Sequence, residues 1–259
     1  MTDHARLAAI YRYPVKGLSA EALCGTRLTS GATIAADRRY AIENGPSGFD
    51  PAAPSYLPKI RFLMLMKNEC LARLETRYDE ATHVLTVRHD GAAVAHGDLS
   101  LPQGRAAIER FFAEFCVGEL RAPPRVLEAP GHSFSDVAHK VVSIINLASV
   151  QEIEKAAGAP VHPLRFRANL HVTGWPAWRE FALVGHEIVV GAARLKVVKR
   201  IERCAATNVD PLTGIRDLAI PRTLAQAFGH TDCGVYATVV GEGEIAVGDP
   251  VRADQPATS

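Results

Sequence analysis

The 259-residue sequence contains no run of about 18 consecutive apolar residues, the length a helix needs to cross a bilayer. Even the stretch from Val137 to Val150 is broken by His139 and Lys140, so no membrane span is expected. Neither sign of charge is in excess. With 29 Lys and Arg against 28 Asp and Glu, the formal charge is +1, which disfavours wholesale binding to nucleic acid or anionic membrane. A local cluster of cations hidden inside that balanced total stays open, and would suit a small anionic ligand. Cysteine is sparse and odd in number. Cys24, Cys70, Cys116, Cys204 and Cys233 are too scattered for a disulfide framework or a CxxC zinc ribbon, which points to a reduced, cytoplasmic protein. The N-terminal segment carries Asp3, and its apolar run from Leu7 to Ile10 is far shorter than a signal-peptide core. The phosphate-cradling P-loop, the GxSxG elbow, the HExxH helix and the EF-hand loop are all missing. Gly241-Glu242-Gly243 does not open a helix after a strand, so a dinucleotide fold is not expected either.

What is present is a sizeable stock of core material: 47% of residues are apolar, in short runs punctuated by 20 glycines and 16 prolines. Two-residue alternation places strands at Leu7–Val15, Leu23–Thr29, Thr33–Glu43 and Arg61–Met66. A meander follows over Leu74–Tyr78, His83–Arg88 and Ala92–Ala95, with the hairpin dipeptide Asp90-Gly91 before its last strand. Ala107, Ile108, Phe111, Phe112 and Phe115 repeat at helical spacing, giving one amphipathic helix between Gln103 and Cys116 that lies on the sheet as a lid. Pro123-Pro124 and the turn-rich stretch from Ala129 to Ser135 mark a linker. The expected division is therefore 1–128 and 129–254, with a frayed tail over 255–259. In the second half, strands are expected at Val141–Ile145, Ala168–Val172, Phe181–Val190, Arg194–Ile201, Gly234–Val240 and Ala246–Val251. A helix over Ala148–Ala157 is capped by Asn146 and ended by Gly158, and a short helix starts at Pro221. The class is α+β, mainly β: two β-barrel-like units with a few covering helices.

Chemistry concentrates in the segment from Arg194 to Gly214. A strand carrying Arg194, Lys196, Lys199, Arg200 and Arg203 against the single acid Glu202 feeds directly into Cys204. Such surroundings favour thiolate over thiol, the form that attacks electrophiles or ligates a soft metal. Downstream, Asp210-Pro211-Leu212-Thr213-Gly214 is turn chemistry, so the loop is expected to be rigid. On spacing alone, an inert cysteine beside a solvated face of cations is the better account of these residues.

Arg203-Cys204-Ala205-Ala206-Thr207-Asn208-Val209-Asp210-Pro211-Leu212-Thr213-Gly214 resembles the motif RC-x-x-T-x-V-D-P-x-T-G of the MOSC family, the molybdenum cofactor sulfurase C-terminal domain superfamily. Ile10-Tyr11-Arg12-Tyr13-Pro14-Val15-Lys16-Gly17 resembles the opening of the β-barrel that precedes MOSC domains in the mitochondrial amidoxime reducing component and its bacterial relatives. Asp37-Arg38-Arg39-Tyr40 and Arg165-Phe166-Arg167-Ala168-Asn169-Leu170 follow in the order of that family, so the likeness runs from near residue 7 to about 252.

The resemblance implies a molybdenum ion held by the sulfurs of one molybdopterin, with Cys204 as thiolate ligand and catalytic residue. Lys16, Gly17, Arg38, Arg167, Asn169, Arg203, Thr207 and Asp210 fall at its cofactor-contact positions, and Ala148 and Ser149 at a phosphate-binding helix N-terminus. It further implies two-electron removal of oxygen from N-hydroxylated small molecules such as amidoximes and hydroxylamines. Five cysteines provide no plant-type iron–sulfur spacing, so electrons are expected from a separate reductase, cytochrome or ferredoxin-like partner. The competing expectation is a carrier of molybdenum cofactor or of persulfide sulfur on Cys204, with no redox cycle of its own. Three departures from the family pattern bear on substrate: Gly17 in place of a serine, Glu202 in a run often rich in proline, and Ala168 in place of a proline. Cys233 and His230 are further candidates as a second thiol and a proton donor.

Overall fold

The computed structural model of the chain describes residues 4–253; the expected tail, 255–259, lies outside the described residues. The first half runs β1 (Arg6–Arg12), β2 (Glu21–Leu23), β3 (Gly25–Leu28), β4 (Tyr40–Glu43), β5 (Leu74–Tyr78), β6 (Val84–His89), β7 (Ala92–Asp98), α1 (Pro102–Phe115) and β8 (Arg125–Glu128). The second runs β9 (Val142–Asn146), α2 (Leu147–Ala157), β10 (Leu170–Thr173), β11 (Glu187–Val190), β12 (Ala193–Glu202), α3 (Ile220–Phe228), β13 (Asp232–Gly241), β14 (Gly243–Ala246) and β15 (Val251–Ala253). The fold is α+β and mainly β.

One curled sheet of eight strands, ordered β15-β11-β12-β13-β9-β10-β1-β2, dominates the molecule. Its pairs are antiparallel except β9 with β10, which α2 joins by a crossover. The β15 end of the sheet meets the start of β1. Arg6 forms an antiparallel bridge with Pro250, the Leu7 amide donates to the Asp249 carbonyl at 2.8 Å, and the Val251 amide donates to the Ala5 carbonyl at 2.9 Å. This closes a ring from β15 round to β1 and satisfies edges that would otherwise be left open. The inside is filled by alternate residues of the strands, among them Leu7 and Ile10, Ile144, Val172, Leu195 and Val197, and Val235 and Val239. Because β1 comes from the first half of the sequence and its neighbour β10 from the second, the two halves share one core.

A second core lies under the meander β5-β6-β7, where Leu74, Tyr78, Leu85 and Val87 face Ile108 and Phe112 of α1. The expected amphipathic helix is thus in place, one residue earlier than its spacing indicated. Asn146 caps α2, its side chain accepting from the Ala148 amide, and Gly158 ends it in the left-handed conformation at φ 67°.

Four expected strands differ. Ala246–Val251 falls on the turn between β14 and β15, where Gly248 takes φ 96°. Of Thr33–Glu43 only β4 is a strand, because Asp37 turns inward to accept the Tyr13 amide at 2.8 Å and the chain before Tyr40 folds into turns. The run Arg61–Met66 is a 3-10 turn and loop; Phe62, Leu63, Met64 and Leu65 are all buried, so apolar content there reflects complete burial rather than a two-faced strand. Phe181–Val190 splits into a 3-10 turn over Arg179–Leu183 and β11.

Candidate functional site

The end of β12, the start of β1's following turn and the segment after β8 converge on a cavity of about 410 Å³. Its wall carries eight Lys and Arg side chains against four Asp and Glu, so the near-neutral chain concentrates positive charge at one place.

Cys204 stands on this wall, half-buried, immediately after β12. The amide and hydroxyl of Thr207 both donate to its carbonyl, at 3.1 and 2.9 Å, which fixes the backbone under the thiol. Lys59 Nζ lies 3.1 Å from Cys204 Sγ and 3.8 Å from Asp136 Oδ2. Asp136 in turn accepts from Lys16 Nζ, whose other bond, 2.9 Å, goes to the Phe134 carbonyl. Burial pulls the Lys16 ammonium below its usual pKa. Burial opposes the charge on Lys59 too, but Asp136 and Cys204 outweigh it and raise its pKa.

Two of the lining guanidinium groups lie against Tyr13, Arg38 at 4.4 Å and Arg167 at 4.3 Å from its ring centre. Both arginines adopt left-handed backbone conformations at φ 51°, which L side chains seldom take. Arg38 is paired with Asp37 and donates to the Arg167 carbonyl at 2.9 Å. Arg167 forms no ion pair or side-chain hydrogen bond among the described residues, and burial lowers its pKa to about 10. A cation so placed is poorly solvated and lacks a counter-anion. Arg203 is held by the carbonyls of Cys233 and Phe166 at 2.7 and 2.8 Å, and its Nη2 is buried with no partner.

Of the residues singled out in the sequence, Lys16, Gly17, Arg38, Arg167, Asn169, Arg203, Cys204 and Thr207 all line this cavity. Gly17 is at φ 84°, and a Cβ there would sit 2.9 Å from the Leu63 carbonyl, so no larger residue fits. Asn169 spends its side chain on Ser143 and on the Tyr11 carbonyl, holding β10 to its neighbours. Asp210 is not on the wall. It accepts the Leu212 and Thr213 amides and pairs with Arg165 at 2.9 Å, so it organises the loop as its turn chemistry indicated. Ala148 and Ser149 are not brought into the cavity; Ser149 is fully buried and donates to Glu180 at 2.8 Å. Cys233 and His230 are also outside it. Cys233 is buried in the core, its pKa pushed up to about 12, and His230 packs among Trp178, Phe181 and Phe228.

Sequence reasoning missed Lys59, Asp136, Ser143 and Tyr236, all cavity residues. Lys59 lies 145 positions from Cys204, and no spacing links them. Lys199 had a signal as one of the cations of β12: a register shift between Val197 and Lys199 sets it opposite Tyr236, with its ammonium 5.7 Å from that ring.

Residues 129–252 match the family model of the MOSC domain, and residues 4–115 match that of the MOSC N-terminal beta barrel domain. The chain is a MOSC-family protein. Mitochondrial amidoxime reducing component 2 of Bos taurus is 30% identical over 122 residues, 42% of this chain and 36% of that protein. Mitochondrial amidoxime-reducing component 1 of Mus musculus is 28% identical over 120 residues, 42% of this chain and 35% of that protein. The matched stretch thus spans about a third of those relatives' length. The YUAD protein of Bacillus subtilis, a solved structure, aligns over 96% of this chain and 94% of its own at 12% identity and a TM-score of 0.46.

Within this MOSC protein, the wall suits an anionic, sulfur-bearing ligand: a soft thiol donor and an arginine without a paired counter-anion line one space. The volume falls in the usual range for small-molecule and cofactor sites. No helix among the described residues is long and apolar enough to cross a membrane.

Proposed function

We propose that this MOSC protein holds molybdenum cofactor in the 410 Å³ cavity and reduces N-hydroxylated small molecules, with Cys204 as the protein's ligand to the metal. The supporting observation is the position of Cys204 on a cation-lined wall, with Lys59 at its sulfur and Arg167, which has no ion-pair partner among the described residues, lining the same cavity. When bound, that group supplies the electron and oxygen-atom chemistry that no side chain of the chain provides.

The residues have separable tasks. Arg38, Arg167 and Lys16 bind the anionic end of the ligand, where planar forks and an ammonium charge suit a phosphate. Cys204 Sγ offers a soft, charge-rich donor, and Lys59 Nζ, within hydrogen-bond reach of it, offsets its negative charge and can supply a proton. Taking oxygen from an N–OH group consumes two electrons and two protons and releases water, so a donor of protons beside the thiol is useful. Electrons come from a separate electron-transfer protein, and the setting is the reducing cytoplasm that keeps the thiol available.

Metal and pterin content of the wild type and of Cys204→Ala tests the reading. Wild type is expected to retain near-stoichiometric molybdenum through gel filtration and to turn over an amidoxime with an artificial donor, while Cys204→Ala loses most of its metal. Equal metal in both would overturn the ligand role. Labile sulfur, or cofactor passed to an apo-enzyme without turnover, would establish the carrier activity instead.

A further inference from the structure

Away from the cavity, a second pair of sulfurs lies in contact. Cys70 Sγ and Cys116 Sγ are 3.9 Å apart, although 46 positions separate them in the chain. Cys70 sits half-buried in a 3-10 turn over Glu69–Arg73; Cys116 closes α1 and is 1% exposed, against Leu71, Ile108 and Phe112. The gap is van der Waals contact between sulfurs, so a disulfide needs an approach of about 2 Å. The remaining cysteines are placed elsewhere: Cys24 is exposed, Cys204 faces the cavity and Cys233 is buried in a different core cluster.

We propose that Cys70 and Cys116 are a redox pair that hydroperoxides convert to a disulfide, with Cys70 attacking and Cys116 resolving. The order follows from access, because an oxidant reaches the half-buried Cys70 and not the sealed Cys116. Contact with Cys116 lowers the Cys70 pKa despite its burial and the Glu119 carboxylate, which accepts from the Cys70 thiol at 3.8 Å, and the same contact pushes the Cys116 pKa up. In the first step the Cys70 thiolate attacks a peroxide oxygen; the O–O bond breaks, the other oxygen leaves as water or alcohol, and Cys70 becomes a sulfenic acid. The Cys116 sulfur then attacks that of Cys70, the S–S bond forms and the hydroxyl leaves as water. Two thiols give up two electrons and two protons, and the peroxide takes them.

The position of the pair gives the bond a structural consequence. Glu69, next to Cys70, accepts from Arg216 at 3.1 and 3.2 Å, and the same guanidinium holds the carbonyls of Leu65, Met66 and Ala205. A disulfide ties α1 to the turn that braces the chain immediately after Cys204. It also closes a long loop, which restricts the unfolded chain and stabilises the fold.

Full-length Cys204→Ser and wild type, treated with hydrogen peroxide and then alkylated, test the pair by intact mass and a non-reducing peptide map. Both are expected to take up two fewer alkyl groups than their untreated counterparts and to yield one linked peptide containing Cys70 and Cys116. Oxidation should raise the unfolding midpoint of wild type, and neither the link nor the rise should occur in Cys70→Ser, whose turnover is otherwise unchanged. Cys70 recovered as a sulfinate, joined to Cys24 or left free while Cys116 stays reduced would overturn the proposal. The mass, peptide-map and unfolding readouts do not depend on bound metal, so they stand or fall separately from the cavity's function.

Discussion

Tyr13 gathers two of the cavity's guanidinium groups. Its ring carries Arg38 and Arg167, its amide is held by Asp37, and its hydroxyl donates to the Ala168 carbonyl at 3.3 Å. Two guanidinium groups brought this close repel each other, and the negative face of the ring offsets part of that repulsion. Tyr13→Leu is therefore expected to weaken binding of inorganic phosphate by about tenfold, roughly 1.4 kcal/mol in calorimetric titration. Tyr13→Phe keeps the ring and should stay close to wild type; equal affinity in all three proteins would show that the ring does not organise the arginines. His171 behaves oppositely, as a residue of the core. It is 4% exposed, its Nε2 has no partner, and burial lowers its pKa to about 4. The unfolded chain, with a histidine pKa near 6.5, binds the proton first as pH falls. Stability from the neutral ring is thus complete above about pH 6.5 and is lost as pH drops toward 4, on the order of 3 kcal/mol. Unfolding midpoints measured across that range should fall for wild type and flatten for His171→Leu. The sequence motif contained Tyr13 but said nothing of its partners, since stacking between positions 13, 38 and 167 is decided by the turns that bring them together.

The loop after Cys204 shows how an element is held. Arg165, from the 3-10 turn Pro163–Phe166, donates to Asp210 and Asp217 at 2.9 and 2.7 Å and to the Asn208 carbonyl at 3.1 Å. Its side chain is 1% exposed, whereas Asp217 is 44% exposed, so water tempers the loss if the arginine is removed. Arg165→Met is expected to destabilise the protein by about 2 kcal/mol in urea titration and to open the 208–217 loop to proteolysis. An unchanged digestion pattern would mean that the Asp210 turn suffices alone. β13 makes a related demand. Gly234 is at φ 76°, and a Cβ there would lie 2.4 Å from the Ile144 carbonyl and 3.1 Å from Arg203 Nη2, so β9, β13 and Arg203 meet only over glycine. The turn after Cys204, the α2 caps and the β5-β6-β7 meander were legible because each is local. The run around Leu63 was not, because an apolar segment buried on every side carries no period.

At the scale of the molecule, the barrel is completed by a strand from the other end of the sequence. β1 pairs with β10 and bridges to Pro250, and β3 pairs with β14, so the MOSC residues 129–252 do not close their core alone. Residues 129–253 expressed without the first half should bind a hydrophobic dye and melt without a sharp transition; a cooperative melt would show that the ring closes without β1. What the sequence determined by itself was whatever depends on neighbours along the chain: a mainly β class, the α2 caps, the Asp210 turn, and the Cys204 block with its family. Tertiary structure alone decided that Lys59 meets Cys204, that Arg167 is left without a counter-anion, that Ser149 turns to Glu180, and that Cys70 touches Cys116. Those contacts join residues tens to hundreds of positions apart. Their existence depends on how the sheet curls and closes, and periodicity along a chain carries no record of that closure.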